Sequence, residues 1–134
     1  NKFVNANPSE LHVDSTDEKF MHRAIEVIEK NISNPNFSVD ELSRELYISR
    51  VGLYKKMLAL SGKSPLEFIK FIRLQRAMQL LEKSDLTISE IAYEVGFNDP
   101  KYFSKFFKAS FNILPSAYQA KKKKEQENEQ IISG

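Results

Sequence analysis

Residues 38–68 of this chain are repeated at 87–118, and few folds accommodate such a repeat. With SVDELSRELYISRVGLYKKMLALSGKSPLEF set beside TISEIAYEVGFNDPKYFSKFFKASFNILPSAY, Val39 pairs with Ile88, Glu41 with Glu90, Leu42 with Ile91, Glu45 with Glu94, Leu46 with Val95 and Ile48 with Phe97. After one extra residue in the second copy, Leu53 pairs with Phe103, Lys55 with Lys105, Met57 with Phe107, Pro65 with Pro115 and Phe68 with Tyr118. Apolar positions meet apolar positions and capping residues meet capping residues. Self-similarity of this kind means one small supersecondary unit built twice.

Each copy reads as a short helix, a tight turn and a longer helix. In the second copy, Ile91-Ala92-x-x-x-Gly96-Phe97 supplies what the turn needs. Ala92 is small enough for two helices to cross closely, and Gly96 takes a positive φ at little steric cost. That is a helix-turn-helix pattern. The first copy has Ser43 and Tyr47 at those positions. A tyrosine at positive φ is strained, so either this turn differs or the strain is absorbed. A generic helical hairpin would explain one copy; two at a regular offset make it a poor explanation.

Helix starts recur with equal regularity. Ser15/Glu18, Ser38/Glu41, Ser64/Glu67 and Thr87/Glu90 have capping-box spacing, and Pro65 and Pro100 stand at first helical positions. The expected helices run over about 16–32 (with Phe20, Ala24, Val27 and Ile28 on its apolar stripe), 38–46, 49–60, 65–82, 87–95, 99–110 and 115–120. The fold class is therefore all-α: seven helices, two helix-turn-helix units (about 38–60 and 87–110) joined by a long central helix. Residues 1–15 read as a linker or domain edge, 16–120 as the domain, and 121–134 as a flexible tail of lysines followed by Glu, Gln and Asn. The chain opens on Asn1 rather than Met, as expected of a fragment of something longer.

The absence of Cys excludes a disulfide scaffold, a thiolate metal site and a Cys nucleophile. His12 and His22 are the only imidazoles, and both precede the repeat. Glu41/Glu45 and Glu90/Glu94 could suggest carboxylate pairs but fit helix caps and solvated faces better, and there is no phosphate loop. No enzyme, metal or cofactor is expected. Net charge is only +2, but residues 38–120 carry twelve basic against nine acidic residues while 1–37 carry four against six. No apolar run suffices to span a bilayer. A cytoplasmic domain without membrane contact is expected, with room for a membrane anchor elsewhere in the full-length protein.

In these residues the chain resembles the DNA-binding domain of the AraC/XylS family of bacterial transcription regulators over about residues 20–120. The second unit carries Ile91-Ala92-x-x-Val95-Gly96-Phe97-x-Asp99-x-x-Tyr102-Phe103-Ser104-Lys105-x-Phe107-Lys108, then Pro115-Ser116-x-Tyr118. The first carries Ser49-x-x-x-Leu53-Tyr54-Lys55 and Gly62-x-Ser64-Pro65-x-x-Phe68-Ile69-x-x-x-Arg73-x-x-x-Ala77-x-x-Leu80-Leu81. Asn112, Leu114 and Gln119 depart from the family's usual Gly, Thr and Arg, and Asn112 can keep a left-handed turn. The lead-in Asp14-Ser15-Thr16-Asp17-Glu18-Lys19-Phe20 resembles the junction after the receiver in hybrid two-component sensor-regulators. The resemblance implies a phosphorelay-controlled activator that binds double-stranded DNA. Its full-length form would dimerise under receiver control, whereas for the fragment alone monomer and dimer both stay open, and RNA polymerase is a candidate partner.

The helix over 49–60 buries Leu53, Met57 and Leu60, leaving Arg50, Val51, Tyr54 and Lys55 toward the groove. The helix over 99–110 buries Phe103 and Phe107, leaving Pro100, Lys101, Tyr102 and Lys105. Arg and Lys can donate to guanine, and Val and Tyr can meet a thymine methyl; Lys or Arg contact to phosphate alone, and packing for Tyr102, stay open as alternatives. Lys56, Lys108 and the helix starts at Ser38 and Thr87 are the phosphate candidates. Arg73 and Arg76, in the central helix, are candidates for a structural role. That helix, about 25 Å long and apolar nearly all round, is expected to be buried between the units with Leu74 and Met78 in its core. It would set two recognition helices into adjacent major grooves about 34 Å apart. The rival reading is a helical protein-interaction module that docks RNA polymerase or another regulator.

Overall fold

The computed structural model describes residues 15–133, so Asn1 to Asp14, with most of the expected linker, His12 and the start of the lead-in, lie outside the described residues. Seven helices and no strand occur among the described residues: α1 (Ser15–Lys30), α2 (Val39–Glu45), α3 (Arg50–Ser61), α4 (Pro65–Lys83), α5 (Ile88–Glu94), α6 (Pro100–Phe111) and α7 (Pro115–Ser133). The described residues form two units, one of 15–32 with 36–72, the other of 33–35 with 73–133. Helix α4 contributes its first eight residues to the first unit and the rest to the second.

Local chemistry sets the boundaries. Ser38 accepts from the Glu41 amide, Ser49 from Gly52 and Asp99 from Lys101. Ser64 and Thr87 form complete capping boxes, with Glu67 and Glu90 reaching back to the cap amides at 3.0 and 2.9 Å. These bonds satisfy donors that a helix start leaves unpaired. They also hold the Glu67 and Glu90 carboxyls below their ordinary pKa, the backbone bond from the cap being the largest cause. Ser15 is the first residue of α1 rather than its cap. Helix α1 stops at Lys30, before the expected Ile32, because Asn31 turns back on it: its amide donates to the Val27 and Ile28 carbonyls and its side chain to Val27 at 2.8 Å.

The two turns match bond for bond. Leu46 donates to Leu42, Tyr47 to Arg44 and Ile48 to Ser43; in the second copy Val95 donates to Ile91, Gly96 to Tyr93 and Phe97 to Ala92. Tyr47 has φ 54° and Gly96 φ 89°. The first turn is therefore the same turn with its strain retained. Ser43, buried where Ala92 stands in the other copy, returns its hydroxyl to the Asp40 carbonyl at 2.7 Å. The later pair behaves likewise: Gly62 and Asn112 close α3 and α6 in the left-handed conformation.

Each unit has its own core. In the first, Met21, Ala24, Val27 and Ile28 of α1 meet Phe37, Leu42, Leu53, Met57, Leu60, Phe68 and Ile69. Met21 takes the fully buried place expected of Phe20, which is half-buried at the core's edge. In the second, Leu74, Ala77, Leu81, Ile91, Ala92, Val95, Phe103 and Phe107 are buried, and Phe107 packs edge-on against Phe111 at 4.8 Å. Met78 is half-buried rather than core. The buried Arg73 guanidinium donates to the Val95 carbonyl at 2.8 Å and to Asn34 at 3.0 Å. It thereby ties the end of α5 to the segment that follows α1. Burial lowers its pKa, and hydrogen bonds are what make a buried charge tolerable.

The largest departure from expectation is the C-terminal segment. Instead of a short helix to Ala120 and a flexible tail, α7 is helical to Ser133. The Tyr118 hydroxyl donates to Glu82 Oε1, Gln126 Nε2 to the Glu82 carbonyl at 2.8 Å, and Gln119 Nε2 to the Leu86 carbonyl at 3.0 Å. Lys122 pairs with Glu125 one turn on. These anchors on the end of α4 and the loop after it order a segment whose composition alone reads as solvated.

Two outcomes follow from the backbone and from α7. A left-handed non-glycine residue costs roughly 1–2 kcal/mol, partly offset on replacement by the unfolded-chain entropy of glycine. With its side chain 91% exposed, Tyr47→Gly should raise stability by about 0.5–1 kcal/mol, while Gly96→Ala should lower it by about 1 kcal/mol, both read from urea midpoints. Desolvation, then the Glu82 bond, pushes the Tyr118 phenol up from 10 to about 12. A raised pKa favours the neutral form, so this contribution is complete below pH 10 and is lost as pH climbs from 10 through about 12. In an absorbance titration a tyrosine step should appear near pH 12, and Tyr118→Phe should remove that step.

Candidate nucleic-acid interface

Helix α3 buries Leu53, Met57 and Leu60 and turns Arg50, Val51, Tyr54 and Lys55 outward. Val51 is 65% and Tyr54 51% exposed, a large apolar display for a soluble helix. Val39 of α2 and Ser64, Pro65 and Leu66 at the start of α4 line the same concavity as those four. Leu66 is exposed there. The sequence signal for it is an apolar residue in the first turn after a capping box, off the stripe formed by Phe68, Ile69 and Ile72.

In the second unit α6 buries Phe103 and Phe107 and leaves Lys101, Tyr102, Lys105 and Lys108 exposed, with Pro100 half-buried. Tyr102 is 58% exposed and its ring stacks on Phe106 at 6.5 Å. It therefore packs on one side and is open on the other. Phe97, the residue after the turn, lies 5.4 Å from Phe103 and 6.4 Å from Phe106. The start of α6 thus rests on an aromatic bed.

Not every expected residue points the same way. Lys56 turns toward α1, its ammonium 3.5 Å from Asp17 and 4.8 Å from the Phe20 ring centre. That engagement competes with any contact to phosphate. The Ser38 and Thr87 hydroxyls cap α2 and α5 by accepting from the Glu41 and Glu90 amides, so the phosphate candidates there are the helix-start amides rather than the hydroxyl oxygens. Arg50 has an ion-pair partner that the sequence did not suggest, Asp40, at 3.1 Å.

Residues 42–121 match the model of a family described as "Helix-turn-helix domain". A solved structure from Chromobacterium violaceum, a transcriptional regulator of the AraC-type DNA-binding-domain proteins, superposes with TM-score 0.74 at 27% identity, covering 81% of this chain and 96% of the other. The chain belongs to the AraC-type helix-turn-helix family. As an AraC-type domain it also resembles the DNA-binding domain of AdpA, solved with a target DNA, at TM-score 0.67 and 27% identity over 80% of this chain and 92% of that one. Histidine kinase P4 of Formosa agariphila is 47% identical over 121 residues, which are 88% of this chain but 9% of that protein. The curated relatives that it matches first are thus much longer than the AraC-type domain itself.

This split between an inward and an outward face separates stability from recognition. Phe103→Ala should cost about 3–5 kcal/mol by opening a cavity in the second core. Lys105→Ala should stay within about 0.5 kcal/mol of the parent in a urea melt and still weaken retention on DNA.

Proposed function

We propose that this domain binds double-stranded DNA sequence-specifically as the output segment of a phosphorelay-controlled transcription activator, with α3 and α6 each entering the major groove of its own box. The observation that carries this reading is the pair of turns closed by the same three hydrogen bonds, each followed by a helix with an apolar inner stripe and a basic, partly aromatic outer face. Arg50, Val51, Tyr54 and Lys55 read one box, and Pro100, Lys101, Tyr102 and Lys105 the other. Lys108 neutralises phosphate. The AdpA domain's complex with its target DNA supports this reading, and the kinase named among the relatives supports control by a phosphorelay. No helix among the described residues is long and apolar enough to cross a membrane. We place the domain in the cytoplasm, where the DNA it reads lies.

The test is footprinting over a salt series. With about 6–8 phosphate contacts, log K should fall against log[salt] with a slope of roughly −5 to −7. Lys55→Ala should weaken protection at one box and Lys101→Ala or Lys105→Ala at the other, each by about 1–3 kcal/mol where a base contact is lost. Affinity independent of salt would favour a protein-docking module instead. Variants of both helices affecting the same base pairs would contradict separate boxes.

A further inference from the structure

Asp40 stands in the first turn of α2, yet its carboxylate serves the next helix. Its Oδ1 lies 3.1 Å from Nε of Arg50, the first residue of α3. The two side chains are 56% and 67% exposed, so the pair does little for the stability of the fold. Nor does the turn require it. The second copy closes the same turn with Ser89 and Pro100 at the aligned positions, neither of which can form an ion pair.

We infer that Asp40 is a positioning residue for base reading, holding the Arg50 guanidinium so that its Nη edge faces the groove. The inference rests on the reading of α3 as a recognition helix. An arginine reads guanine through two parallel N–H bonds to O6 and N7, which requires the planar fork to be presented edge-on. A free arginine at a helix start samples many rotamers and can settle on a phosphate instead. Engaging Nε removes much of that freedom and leaves both Nη groups to donate. The surroundings suit this role: Arg50 shares its concavity with Val51, Tyr54 and Leu66, and Lys55 is the other cation lining it.

The carboxylate has a second effect of opposite sign. A negative charge beside the groove repels phosphate, so Asp40 lowers affinity for DNA in general while sharpening the choice among sequences. This combination distinguishes positioning from a structural role, since a structural residue supports binding to every sequence alike.

The experiment measures binding of the parent, Arg50→Ala, Asp40→Asn and Asp40→Glu to the selected site and to duplexes carrying each single base-pair replacement. In the parent one G·C pair should be preferred, and Arg50→Ala should abolish that preference. Asp40→Asn should reduce the preference at the same pair about twofold to fivefold, the scale of an exposed ion pair, while raising affinity for non-specific duplex; Asp40→Glu should restore part of the discrimination. Full discrimination in Asp40→Asn, with Arg50→Ala still defective, would overturn the role of Asp40 and leave the reading of α3 intact. A uniform loss of affinity in Asp40→Asn accompanied by a lower urea midpoint would also overturn it. Arg50→Ala with unchanged preferences at every position would overturn the reading of α3 itself, and the inference with it.

Discussion

In this domain a recognition helix faces outward because one residue before it adopts the left-handed conformation. Tyr47 and Gly96 each reverse the chain after a seven-residue helix. The bonds around them, from Ile48 to Ser43 and from Phe97 to Ala92, fix where the next helix begins. Once that start is set, the apolar stripe of α3 or α6 has one core to enter and its polar face has one direction to point. The caps at Ser49 and Asp99, the aromatic bed under α6 and the burial of Ser43 and Ala92 all depend on that reversal.

Arg73 supports the same arrangement from within. It donates to the carbonyl of Val95, the residue that ends α5, and so holds the entry to the second turn. A leucine there would pack but forfeit the buried bond to the Val95 carbonyl, and a buried acceptor that loses its donor is expensive. A buried charge thus serves a packing purpose through the groups it satisfies.

Most of the fold was legible because its determinants are local. Capping serines and threonines, Pro at first helical positions and apolar residues spaced by three and four all act within a few residues, and the repeat supplied a second reading of each. The exposed faces of α3 and α6 followed from the same periodicity. What escaped depends on contacts between distant residues. The tail became α7 through Tyr118 and Gln126 meeting Glu82, 36 and 44 residues away. Lys56 lies three residues after Leu53 and four before Leu60, at the margin of the buried stripe, and Asp17 on a separate helix draws it inward. The Asp40–Arg50 pair bridges two helices across the turn, beyond the reach of spacing rules within one helix.

The two turns close with the same bonds yet tolerate different residues at their reversal, a tyrosine in one and a glycine in the other. Each closes entirely inside its own unit, on carbonyls that unit supplies. A substitution that re-aims α3 therefore has no bond to break in the turn before α6. Exposed positions of α3 can change without disturbing the turn that sets α6, and the converse holds for α6.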